Sequence, residues 1–133
     1  MFAMADVGRP WTVRTAPAAD GPWSAPQVIP PVPPVARGGK FWHLDVIRHK
    51  GQYRALLMHF APFELYAAVS DDGVNFRRGP RVLAATQTWE DRLYRSTFVP
   101  ADNGLDYDLW YGVIGSGWRL AYTRVPMSLW DGI

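Results

Sequence analysis

Cysteine is absent from the 133-residue chain. That excludes disulfide frameworks and any zinc or redox site built on thiolates. No stretch approaches the roughly 18 consecutive apolar residues a membrane-spanning helix needs, so no membrane partner is expected. The N-terminal MFAMADVGRPWTV lacks a basic start followed by a sustained apolar run, so it does not read as a secretory signal. Charge of one sign is scarce: the formal net charge is +2, and the densest basic cluster is Arg77, Arg78 and Arg81. Nucleic acid is not expected as a partner on so weak a field. Glutamate occurs only at Glu64 and Glu90. None of these absences fixes a compartment.

What the chain does have is aromatic and turn-forming residues. Hydrophobic residues make up 48% of it, with seven Trp, six Tyr, six Phe, twelve Gly and twelve Pro. The apolar share is too high for a disordered tail, and the length suits one domain with a modest core. Aromatic runs separated by Gly and Pro predict an all-β chain.

The runs repeat. WHLDVIRH (42–49) and QYRALLMHF (52–60) flank the turn Lys50-Gly51. LYAAVS (65–70) leads through Asp71-Asp72-Gly73 into NFRR (75–78), completing a four-stranded meander. YRSTFVP (94–100), YDLWYGVI (107–114) and WRLAYTRV (118–125) follow the same layout, and SLW (128–130) would begin a fourth strand. His43-Leu44-Asp45-Val46 then lies over Arg95-Ser96-Thr97-Phe98, a spacing of 52 residues. Residues 12–29 parallel residues 65–83: Asp20-Gly21 matches Asp72-Gly73, and Trp23 matches Phe76, with Trp130 in the same place in the last copy. A period of about 50 residues built from four antiparallel strands predicts propeller blades. A β-sandwich with coincidental similarity is the alternative. The expected organisation is a single partial propeller domain over 1–133. Residues 10–29 form the outer half of a blade, 30–41 a linker with an extended rim segment, 42–84 one blade and 94–133 another.

These residues also resemble a known family. Trp42-His43-Leu44-Asp45-Val46, Gly51-Gln52-Tyr53, Leu65 to Phe76, Tyr94 to Phe98 and Asp108 to Tyr111 resemble the five-bladed propeller glycoside hydrolases of the family 43 and family 32 type. WHLDV looks like a variant of that family's W-A-P-D opening strand. The Asp-Asp-Gly hairpin also resembles the aspartate turns of sialidase propellers. The resemblance covers roughly residues 10–133 and implies a ring of five blades. This chain would supply about two and a half of them, as a C-terminal fragment or as a truncated gene product that begins at an internal methionine. With blade faces uncovered, it is expected to pair with another copy as a homo-oligomer, to rearrange, or to be marginally stable.

The resemblance implies an axial sugar pocket, lined by the first strand of each blade. Strand parity puts His43 and Asp45 on one face and Trp42, Leu44 and Val46 on the other. The same parity puts Arg95 and Thr97 towards the axis. Glycoside hydrolysis needs two carboxyl groups. Asp45 stands where the W-A-P-D aspartate does, a supporting or substrate-binding position, and Glu90 is the candidate general acid. The family's base lies in a blade this chain lacks, so the catalytic set is expected to be incomplete. His43, Arg95 and Trp42 are candidates for binding an oligo- or polysaccharide. Arg95 instead pairing with Asp45, Glu90 as a loop carboxylate beside Arg92, and Trp42, Trp110 and Trp118 as packing between blades are the structural alternatives. His49, His59 and Glu64 are expected to face solvent. One histidine does not make a metal site, and neither a metal nor a cofactor is expected. A non-catalytic carbohydrate-binding module and a structural, oligomerising remnant remain as alternatives to a hydrolase-like fragment.

Overall fold

The structure is a computed structural model that describes residues 2–4, 10–35 and 39–133. The chain is all-β, as its composition predicts. Among the described residues, ten strands form three antiparallel sheets, and one short helix follows them. The first sheet holds β1 (Phe2–Met4), β2 (Trp11–Val13) and β3 (Gln27–Val28). The second is a meander of β4 (Lys40–His49), β5 (Gln52–Phe60), β6 (Glu64–Ser70) and β7 (Arg77–Leu83). The third, in the order β10-β9-β8, holds β8 (Arg92–Pro100), β9 (Asp106–Ile114) and β10 (Trp118–Pro126).

Local chemistry explains the hairpins. Lys50 and Gly51 both adopt positive φ, 50° and 80°, the backbone a tight two-residue β-turn requires. Between β6 and β7, the Asp72 carboxylate accepts the amides of Val74 and Asn75, each at 2.8 Å, and the Ser70 hydroxyl at 2.8 Å. Those bonds, the Asn75 amide foremost, hold its carboxyl well below the ordinary range. Asn75 and Phe76 therefore belong to the turn, and β7 starts at Arg77.

The middle sheet is covered on both faces. Ala55, Leu57, Tyr66 and Ala68 point one way, into a cluster with Trp11, Val13, Ile29 and Val32. Leu56, Met58, Leu65, Ala67 and Val69 point the other way, against Leu93, Phe98, Tyr107, Leu109, Tyr111 and Val113 of the third sheet. Period-two alternation along β5 and β6 separates the two cores, with every one of those nine middle-sheet side chains buried. Ile29 and Val32 are buried against the first sheet, while Pro30, Pro31, Pro33 and Pro34 of the linker stay exposed. Residues 36–38 of that linker lie outside the described residues.

Two further expectations are corrected. Residues 128–130 do not begin a strand; Ser128–Asp131 forms a helix, α1. It folds back because Trp130 is buried under Phe98 and Tyr107, with its indole donating to the Ala55 carbonyl at 2.9 Å. Asp131 pairs with Arg54, whose guanidinium is buried in the seam between the sheets and also donates to the Tyr107 hydroxyl. The three aromatics matched in the repeat therefore diverge: Phe76 sits in a turn, Trp130 in a helix, and Trp23 is exposed at 40%.

Candidate functional site

The first strands of the two larger sheets, β4 and β8, lie side by side, and the candidate residues gather along their seam. A β-bulge shapes the start of β4: Phe41 opposes His59 and His43 opposes Met58, leaving Trp42 as the extra residue. Leu44 and Val46 pack towards the first sheet, as parity predicts. The bulge turns Trp42 the other way, onto the face of His43, so its expected grouping with Leu44 and Val46 is corrected. The Trp42 and His43 rings stack, with centroids 4.8 Å apart and planes 19° apart.

A row of rings continues from that pair. Tyr94 of β8 meets His43 edge-on at 4.8 Å and Trp42 at 5.6 Å. Trp118, at the start of β10, meets Tyr94 at 5.2 Å. On the other side Phe60 meets Trp42 at 5.5 Å, and Phe63 meets Phe60 at 5.0 Å. The row is partly open to solvent, with Trp118 66% and Phe60 36% exposed. Within it, Trp42 Nε1 and His43 Nε2 are buried without a hydrogen-bond partner among the described residues. Buried polar atoms are usually paired, so each costs free energy as it stands.

Asp45 points into the seam. Its Oδ2 accepts the Thr97 hydroxyl at 2.9 Å and the Phe98 amide at 3.3 Å. Thr97 occupies the position that Asp45 occupies one repeat earlier, so the repeat is stitched at equivalent sites. Arg95 is exposed and does not pair with Asp45; among the described residues it makes no hydrogen bond or ion pair. It does lie close enough to act on His43. Burial first, and the Arg95 charge second, hold the imidazole below its ordinary pKa, which favours the neutral ring.

Glu90 is elsewhere. It precedes β8, whereas Asp45 meets that strand five residues in, at Thr97, roughly 15 Å along it. Glu90 lines a cavity of about 600 Å³ with Trp89, Tyr111, Arg119 and Tyr122, and Asp45 is not part of it. Glu90 is buried, and its carboxylate accepts the amides of Thr86 and Gln87 at 2.8 and 3.0 Å and the Tyr111 hydroxyl at 2.9 Å. Burial alone would raise its pKa; the three donors outweigh it and lower it. Tyr111 answers in the opposite sense, pushed up to about 12 by burial and by Glu90. A general acid needs a raised pKa. The Glu90 pKa is lowered, and its bonds are those of a loop staple.

The remaining polar candidates are tied into the framework. His59 is fully buried, with Nδ1 3.3 Å from the Pro62 carbonyl, and Glu64 accepts from Arg81 and Tyr66, so neither faces solvent as expected. His49 Nδ1 lies 2.6 Å from the Tyr107 hydroxyl. Among the described residues no three His, Asp or Glu side chains gather as metal ligands. Tyr94, Phe60 and Phe63 are site residues that strand parity alone did not single out. Phe60 ends β5, Phe63 lies in the turn before β6, and Tyr94 falls at a register shift in β8, places where alternation says little.

With this geometry in place, comparison with known proteins is informative in one direction. No family model matches the chain, and no curated protein matches it. The family 43 and 32 resemblance therefore rests on the quoted residues alone. Among solved structures, the chain is similar to the crystal structure of an N-acetylgalactosamine deacetylase from F. plautii in complex with blood group B trisaccharide. The TM-score is 0.72 at 18% identity, over 92% of this chain and 44% of that one. At that identity the likeness shows the fold, and the chain spans less than half the length of that protein.

Proposed function

We propose that this chain is part of a carbohydrate-active propeller of the five-bladed type, and that it holds a glycan against the aromatic row along the β4–β8 seam. The observation that carries the reading is the row Trp118–Tyr94–Trp42–Phe60–Phe63, partly open to solvent. Sugar rings offer apolar faces that stack on aromatics. The fold neighbour supports the reading, since that enzyme acts on an amino sugar and its structure contains a trisaccharide. The Asp45–Thr97 stitch at a 52-residue spacing supports successive blades.

The role proposed here is binding. Asp45 positions β8 against β4, and Glu90 braces the loop before β8. A glycoside hydrolase would need its acid and base from parts of a ring beyond this seam. The test is a glycan-binding screen followed by calorimetry with the hits. Replacing Trp118 or Tyr94 by alanine is expected to weaken binding by about tenfold each, the worth of one stacked ring. Unchanged affinity in both variants, or no glycan bound at all, would overturn the reading.

A second reading is favoured by the outer face of the third sheet, where Trp118, Leu120 and Tyr122 are exposed along one side of β10. That face corresponds to the one the middle sheet buries, and a second copy of the chain could cover it. Sedimentation at rising concentration tests this; a monomer throughout counts against it.

A further inference from the structure

We infer that the glycan held at the β4–β8 seam is acidic, carrying a carboxylate or sulfate that Arg95 grips beside the aromatic row. This rests on the carbohydrate reading above and goes one step beyond it.

The charges on the molecule are unevenly satisfied. Arg54, Arg77, Arg81 and Arg124 all have carboxylate partners: Asp131, Asp71, Glu64, and Asp102 with Asp108. Arg48, Arg78 and Arg119 lie over the rings of Tyr53, Tyr66 and Trp89 without an ion pair among the described residues, and the cations along the aromatic row are also unpaired. Lys40 lies over the Phe60 ring at 5.8 Å and Arg92 over the Phe63 ring at 5.1 Å, while Arg95 follows Tyr94 on β8. None of these three cations has an ion-pair partner among the described residues. Nearby acidic groups form no ion pair with them: Asp45 accepts from Thr97 and Phe98, and Asp91 is exposed. His43 Nε2 is buried, whereas Arg95 is exposed and a ligand can reach its guanidinium without rearrangement.

An aromatic floor with an unpaired cationic rim matches a sugar ring that bears an anion. The ring stacks, and the anion meets a planar guanidinium whose donors are unused. A neutral sugar would leave those cations as they are and gain only the stacking. Cationic rims also draw an anionic polymer in by long-range attraction, which salt weakens. Uronic-acid and sulfated glycans share this chemistry.

The test is calorimetric titration of the full chain with three probes matched in length and linkage: a neutral hexose oligosaccharide, its uronic-acid counterpart and its sulfated counterpart. At low salt at least one acidic probe should bind ten or more times tighter than the neutral one, and about 200 mM salt should erode that preference. Which acidic probe wins identifies the anion. Arg95→Met should abolish the preference while leaving the weak neutral binding, and Arg95→Lys should restore part of it. Because Arg95 is exposed and unpaired, both variants should melt with the parent protein. Neutral and acidic probes bound equally, or a preference that survives Arg95→Met, would overturn the inference while leaving the carbohydrate reading intact. No binding of any probe would remove both.

Discussion

The middle and third sheets come from the same sequence repeat and end in different surroundings. Their equivalence can be followed strand by strand. Asp45 pairs with Leu56, and Leu56 with Ala67; one repeat on, Thr97 pairs with Trp110, and Trp110 with Tyr122. Met58 pairs with Leu65, and Gly112 with Leu120. Yet Leu65 is fully buried and Leu120 is 76% exposed, while Ala67 is fully buried and Tyr122 is 51% exposed. Hydrogen-bonded register is the same in both sheets, so register does not decide burial. What decides it is whether another sheet lies on top. The middle sheet is covered on both sides, and the third sheet only on the side that faces the middle one.

Four measurements would break or sharpen that contrast. The widest gap is expected between Leu65→Ala and Leu120→Ala in urea unfolding. The first should cost about 3 kcal/mol, as deletion of a buried leucine side chain does. The second should stay within about 0.5 kcal/mol. Equal costs would show that the outer face is covered in solution. Next, Asp131→Asn removes the counter-charge of buried Arg54. Asp131 itself is 47% exposed in its side chain, so the expected loss is about 1–2 kcal/mol, below that of a fully buried pair. Arg54 lowers the Asp131 pKa, so this contribution is complete above the unfolded value and fades as pH falls through the folded one. A smaller effect is expected from Asp45→Ala, about 1 kcal/mol for the stitch between repeats. A loss of several kcal/mol there would mean the seam depends on that carboxylate more than on its apolar contacts. The mildest test is pH. His43 and His49 both have lowered folded pKa values, chiefly through burial. Between about pH 7 and pH 5 the unfolded chain therefore takes up protons that these rings resist, and stability should fall with pH. His43→Phe should flatten part of that slope; an unchanged slope would place the titration elsewhere.

Much of the fold was legible because its signals are local. Alternation across 52–60 and 107–114 gave β5 and β9 to within a residue, and Asp71-Asp72-Gly73 marked its turn. The repeat spacing aligned Asp45 with Thr97, and the structure joins them with a hydrogen bond. The failures share a cause as well. The bulge at Trp42 inverts one side chain, and nothing in the residue types announces it. Residues 128–130 look like a strand, but a helix forms because Trp130 and Asp131 find partners far away on β5. His59 and Glu64 sit at strand ends that read as exposed, and their burial comes from Pro62, Tyr66 and Arg81 closing over them. The site was half visible: the His43 and Trp42 rings do stack, whereas Glu90 needed coordinates to be separated from Asp45.

The indole of Trp130 closes on a carbonyl 75 residues upstream. Contacts of such long range slow folding, and a molecule in which α1 comes loose would bare the Phe98 and Tyr107 rings that Trp130 covers.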